Sequence, residues 1–155
     1  MTASPAGGIR MAHVAIAVSD FDVSTRFYSE GLGFEANPMV FESGDEVAAV
    51  SEVEPPVRMR SRYFEKDGVR IELMAWESPP VHGNASQQRN QRGLTHLSFE
   101  VDDIDATEAR LVELGGVALP DARVYLEPVK IALVFLTDPD GTRIELLQRN
   151  AAPPT

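Results

Sequence analysis

Apolar residues along this 155-residue chain alternate in short runs, then shift to a helical spacing, and the order of those runs occurs twice. Residues 11–18 predict a strand: Val14, Ile16 and Val18 form one large apolar face, while His13, Ala15 and Ala17 form a small one interrupted by the histidine. From Asp22 to about Leu32 the spacing is helical, with Val23, Phe27 and Tyr28 near one face, Asp22 as N-cap and Gly31 and Gly33 as the stop. Short strands are expected over 34–42 and 46–53. After the Pro55-Pro56 break come strands over 57–65 and 69–76, joined through Lys66-Asp67-Gly68.

A polar stretch rich in Pro, Asn, Gln and Arg then separates this unit from its echo. The second pass predicts a strand over 95–101 and a helix from about Asp105 to Leu114, with Glu108 three residues past its cap. Gly115-Gly116 stops that helix, and strands follow over 117–119, 122–127, 131–137 and 142–149, with a Pro139-Asp140-Gly141 turn before the last. The ends, 1–9 and 151–155, are small, Ala/Gly/Pro-rich and expected to fray. The expected class is α+β, with a first module over 10–77, a linker over 78–92 and a second module over 93–150, each running strand, helix, three strands.

The repetition extends to individual residues. Asp67-Gly68-Val69-Arg70-Ile71-Glu72-Leu73-Met74 returns as Asp140-Gly141-Thr142-Arg143-Ile144-Glu145-Leu146-Leu147, and His13 at the head of the first strand matches His96 in the second half. Strand parity sets Ile71 and Leu73 behind the helix and Glu72 on the other face, so His13, Glu72, His96 and Glu145 are expected on one concave surface. A single strand glutamate is usually solvated and a single histidine usually a core or edge residue. Four such groups at matched positions point to a metal site. Two imidazoles and two carboxylates suit one divalent ion, Zn, Ni, Co, Mn or Fe, with positions left for water or substrate.

Composition narrows the alternatives. The absence of cysteine removes disulfides, thiolate metal sites and cysteine nucleophiles. A formal charge of −10 argues against nucleic-acid and anionic-membrane partners, and neither a leader-like start nor a membrane-length apolar run is present, so a soluble cytoplasmic protein is expected. Arg58, Arg60 and Arg62 recur with period two. If the loop Lys66-Asp67-Gly68 bulges at Gly68, Arg62 lies opposite Glu72 and the three arginines line the cleft, ready for an anionic small-molecule substrate. A two-residue turn points them away instead. His82, in the linker, is expected to be solvated.

His13-Val14-Ala15-Ile16-Ala17-Val18, Phe27-Tyr28, Leu32-Gly33-Phe34, the run from His96 to Asp105, Asp138-Pro139-Asp140-Gly141 and Ile144-Glu145-Leu146 together resemble the vicinal oxygen chelate superfamily. That group includes glyoxalase I, methylmalonyl-CoA epimerase, extradiol dioxygenases and the fosfomycin and bleomycin resistance proteins. The resemblance implies two βαβββ modules forming an incomplete eight-stranded barrel around a metal-bearing cleft, often in a dimer. Glu72 as a fourth ligand is similar to the pattern of glyoxalase I and the epimerases. It implies a metal-dependent isomerase, epimerase or lyase that removes a proton beside a carbonyl, with Glu145 the first candidate base and Glu72 the next. Glu46 and Glu52 fall where epimerases place a further glutamate. The competing readings are an Fe(II) extradiol-type dioxygenase and a non-catalytic protein that sequesters a small drug-like molecule.

Overall fold

The computed structural model describes residues 8–85, 88–151 and 153, so most of the ends expected to fray lie outside the described residues. In the first module, strand β1 (Val14–Val18) leads into helix α1 (Phe21–Arg26), which widens into a π-helical turn over Phe27–Gly31. Two short strands, β2 (Glu35–Ala36) and β3 (Phe41–Ser43), precede a 3₁₀ turn at Asp45–Val47 and a four-residue helix α2 (Ala48–Ser51). The long hairpin β4 (Arg58–Lys66) and β5 (Val69–Ser78) completes it. The second module comprises β6 (Leu97–Glu100), α3 (Ile104–Glu113), β7 (Val117–Leu126), a 3₁₀ turn at Glu127–Val129, β8 (Ile131–Thr137) and β9 (Arg143–Arg149). The class is α+β, as the strand and helix patterning implies.

Each module forms one sheet. The first runs β1-β5-β4-β2, with β3 also on β4, and the second runs β6-β9-β8-β7. In both, the opening strand lies parallel to the closing strand, so Ala15 faces Glu72 and Ser98 faces Glu145 across equivalent pairs. A parallel neighbour requires a crossover, which α1 and α3 provide.

Local chemistry explains most differences from the sequence expectations. Asp20, not Asp22, caps α1: its Oδ1 accepts from Asp22 N and Val23 N at 3.0 and 2.9 Å, which moves the helix start back and buries Phe21. Asp103 likewise caps α3, two residues before the expected cap. The strand expected over 46–53 is a 3₁₀ turn and short helix, because Asp45 and Glu46 bind nearby backbone N–H groups: Asp45 accepts from Val57 N and Glu46 from Gly44 N. The two strands expected over 117–119 and 122–127 are one strand whose pairing slips between Ala118 and Arg123.

One apolar core serves both modules. Ile16, Val18, Ile71 and Leu73 from the first sheet join Phe27 and Tyr28 from the first helix, with Leu111, Leu136, Ile144 and Leu146 from the second module. The modules are joined by contacts that need close approach. Gly116 lies where a Cβ would come within 2.9 Å of Leu111 O, Phe27 Cε2 and Thr137 O. Tyr28, fully buried, donates to Asp138 Oδ2 at 2.9 Å, and Asp138 Oδ1 accepts from Asp140 N and Thr142 N at 3.0 and 2.7 Å. Burial pushes the Tyr28 hydroxyl well above its usual range, with the Asp138 charge adding to it. Burial likewise raises Asp138, against the pull of the hydrogen bonds it accepts.

Candidate functional site

The turn between β4 and β5 decides which side chains reach the site. Asp67 and Gly68 both take positive φ, 51° and 77°, and Lys66 pairs directly with Val69, so the loop has two residues. Tyr63 is therefore opposite Glu72, and Arg62 is opposite the buried Leu73. Arg58, Arg60 and Arg62 do not line the histidine face. Arg60 lies over the Phe21 ring, Arg62 over Phe64 with its Nε donating to Asn37 O, and Arg58 and Arg60 pair with Glu77. The arginine placement expected from a bulged loop is corrected by the tighter turn.

On the face that the turn does select, His13 Nε2 lies 3.2 Å from Glu72 Oε2, and the imidazole makes an edge contact with Tyr63 at 5.3 Å between centroids. The second module repeats the motif. His96 Nε2 lies 3.7 Å from Glu145 Oε2, and Phe135, opposite Glu145 in β8, makes an edge contact with His96, again at 5.3 Å. The carboxylate side chains are only 12% and 15% exposed and the imidazoles about a third, so each pair is accessible from one side. Each pair supplies one nitrogen and one oxygen. Two donors about 2.1 Å from one cation stand roughly 3 Å apart at right angles, so the first pair fits chelation as placed and the second is slightly open.

The four side chains do not converge within one chain. Among the described residues, no group of three or more His, Asp or Glu side chains is placed to hold a metal ion. The cause is the packing of the modules. Both bury their helix-bearing faces in one core, so each histidine–glutamate pair lies on the side of its sheet away from that core. The four side chains expected on one concave surface are thus present as two histidine–glutamate pairs, one in each module.

The halves differ in what surrounds the carboxylate. Ser98 Oγ donates to Glu145 Oε2 at 2.5 Å, whereas the matching position beside Glu72 is Ala15. Over Tyr63 lies Arg70, which is neutralised by Glu65. Over Phe135 lies Arg89, from the linker, with its Cζ 3.4 Å from the ring centroid. His82 is exposed and lines a cavity of about 360 Å³ with Ala15, Ala17, Thr95, His96 and Arg143. Glu46 accepts from Gly44 N, which holds it below the usual carboxylate range, and Glu52 ends α2 at φ 57°. Neither belongs to a histidine pair. Tyr63 and Phe135 were recoverable from the repeat once the turn length was known. Ser98 follows from its place two residues after His96, and Arg89 carries no signal in linker composition.

A family model described as Glyoxalase/Bleomycin resistance protein/Dioxygenase superfamily matches residues 10–146, which takes in both half-sites. The chain belongs to that superfamily. Among curated relatives of this glyoxalase-superfamily chain, an uncharacterized Escherichia coli (strain K12) protein, YaeR, is 32% identical over 137 residues, covering 88% of this chain and 94% of its own. A crystal structure of a glyoxalase family protein from Bacillus cereus superposes with a TM-score of 0.77 at 21% identity, over 96% of this chain and 99% of that one. The fosfomycin resistance protein FosX from Listeria monocytogenes, crystallised with Mn(II) and sulfate, gives 0.55 at 19% identity over 93% of each chain. At these identities the structural likeness establishes the shared fold.

Proposed function

We propose that the protein is a metal-dependent isomerase, epimerase or lyase that removes a proton from carbon beside a carbonyl, in a site built from two chains. His13 and Glu72 of one copy face His96 and Glu145 of a second, and together they hold one divalent ion. The observation that carries this reading is the paired geometry: two matched imidazole–carboxylate pairs, 3.2 and 3.7 Å apart, on the outward faces of modules whose inward faces share a core. Each half is a two-donor site, and an N2O2 set arises only when unlike halves meet.

A bound divalent cation would supply positive charge beside the substrate's carbonyl oxygen while the neighbouring C–H bond breaks. The chain's own residues supply the proton transfer. Glu145 is the base, since Ser98 donates to its Oε2 and orients the carboxylate, while Glu72 has only Ala15 beside it. As a carboxylate Glu145 takes the carbon-bound proton, and as the acid it returns that proton to the alternative position. Tyr63 and Phe135 wall the imidazoles and keep both rings turned toward their glutamates.

Elemental analysis of the purified protein, then deuterium wash-in on a panel of acyl-CoA and 2-oxo compounds, tests the chemistry. About one equivalent of divalent metal per assembled site and exchange of a single carbon-bound proton are expected. Oxygen uptake with catechols favours the dioxygenase reading instead, and no affinity for any divalent ion favours sequestration. Sharing between chains has its own test. A His13→Ala/Glu72→Ala chain and a His96→Ala/Glu145→Ala chain, each inactive alone, regain activity on mixing if each site spans two copies. No recovery in verified mixed dimers refutes the shared site.

A further inference from the structure

Arg89 is held where a substrate anion could be met. Its guanidinium lies over Phe135, the ring that also contacts His96, so it borders the second half-site. Its Nη1 is buried with no hydrogen-bond partner, and among the described residues no carboxylate lies within 4 Å to pair with it. Arg70, over the equivalent ring of the first module, is paired with Glu65 through Nε and Nη2. The difference is chemical as well as positional. A desolvated N–H donor left without an acceptor is costly, and such a group is rare unless something else supplies the acceptor.

The local charge balance points the same way. Arg89 lies within reach of both the Arg143 charge and the Glu145 carboxylate. Burial, and then the Arg143 charge, holds the Arg89 guanidinium below its usual range, while Glu145 opposes that shift. An added anion beside Arg89 would relieve both the burial cost and the repulsion from Arg143. Arg60 and Arg62 of β4 cannot take this part, since they sit on the other side of their sheet, and Arg58, beyond the register shift, lies beside Glu77.

We infer that Arg89 is a specificity-determining residue that binds an oxyanion of the substrate, a carboxylate or a phosphonate, beside the His96–Glu145 pair. Its aromatic support fixes the guanidinium and leaves its edge N–H groups to the ligand. This deepens the proposed function and rests on the second half-site being part of the substrate cleft. It does not rest on the identity of the metal.

The test uses the full chain stripped of metal, titrated with propionate and with methylphosphonate and followed by ¹H–¹⁵N chemical shifts, with methyl acetate as the neutral control. Saturable shifts around residues 89 and 143 are expected for at least one anion and not for the ester, and which anion binds more tightly distinguishes the two oxyanion types. Arg89→Ala should weaken that binding by about ten-fold or more, the ordinary effect of removing a charged hydrogen bond. Arg89→Lys, which keeps the charge but not the planar fork, should fall between. No saturable shift with either anion in the parent, or unchanged affinity in Arg89→Ala with a native spectrum, overturns the proposal. His96→Ala should lose metal uptake and keep the anion shifts. If the parent takes up no metal, the metal-dependent reaction fails while the Arg89 assignment is judged on the anion data alone.

Discussion

Tyr28→Phe removes a single oxygen from the join between the two modules, and its cost can be worked from the contacts. Tyr28 and Asp138 are both fully buried, and the hydroxyl donates to Oδ2 at 2.9 Å. The ring keeps its edge contacts with Phe27 and Phe34, at 5.4 and 6.2 Å, so no cavity opens. What is lost is one hydrogen bond to a charged acceptor, worth about 1.5–3 kcal/mol. Asp138 Oδ1 retains its two backbone donors, so only half of the carboxylate is stripped. A loss of about 2 kcal/mol should lower the melting temperature by roughly 4–8 °C in a chain of this length. Urea unfolding at pH 7 should show an earlier midpoint with an unchanged slope. The same variant carries a pH signature: burial raises the folded Tyr28 value above the ordinary figure near 10, so the parent loses stability as pH climbs from about 10 upward, and the phenylalanine variant lacks that contribution. An unmoved midpoint refutes the reasoning. So does an equal cost of Tyr28→Phe in an Asp138→Asn background, since a double-mutant cycle must show coupling if the bond matters.

Asp138→Asn tests the raised carboxyl directly: the folded state holds that proton more tightly, so parent stability declines as pH rises from about 4 through the raised value, and the stability difference should shift in the variant's favour across that window in pH-resolved urea melts. A flat difference, or one that shifts in the parent's favour, contradicts the assignment. Gly116→Ala should cost about 1–3 kcal/mol by thermal melting, because two of the three atoms its Cβ meets at 2.9 Å are backbone carbonyl oxygens that cannot rotate aside. Ser98→Ala should lower kcat by about ten-fold while leaving metal content by elemental analysis unchanged, the signature of a residue that orients Glu145 without ligating; loss of metal together with activity would make Ser98 part of the binding set.

Parity along single strands was legible in the sequence because it depends only on the chain's own alternation. Val14, Ile16 and Val18 against His13, Ala15 and Ala17, and Ile71 and Leu73 against Glu72, fall on the sides that their alternation implies. Parity carried across a turn was not legible for the arginines. One residue more or less between Lys66 and Val69 exchanges the faces of β4, and Asp67-Gly68 is compatible with either loop until the positive φ at both positions is known. Tyr63 rather than Arg62 meets Glu72 for that reason alone. The 46–53 segment departs from the expected strand for a different cause. Its apolar residues, Val47, Ala48, Ala49, Val50 and Val53, do not set one strand face apart, and the local hydrogen bonds of Asp45 and Glu46 outweigh any strand preference.

The relative placement of His13, Glu72, His96 and Glu145 was least legible, and the reason lies in what a duplicated sequence can encode. Each half specifies its own sheet, its helix and the face that the helix covers, all from short-range pattern. How one half meets the other depends on long-range contacts such as Gly116 against Phe27 and Tyr28 with Asp138, the latter 110 residues apart. Those contacts commit the helix-bearing faces to each other and leave the histidine faces outward. Either packing would satisfy the same hydrophobic periodicity, since in both the apolar faces are buried and the polar ones exposed. Matched pairs in each half are therefore what the repeat specifies, and in the two-chain site proposed above the four donors would depend on which copy of the complementary half comes to face each pair.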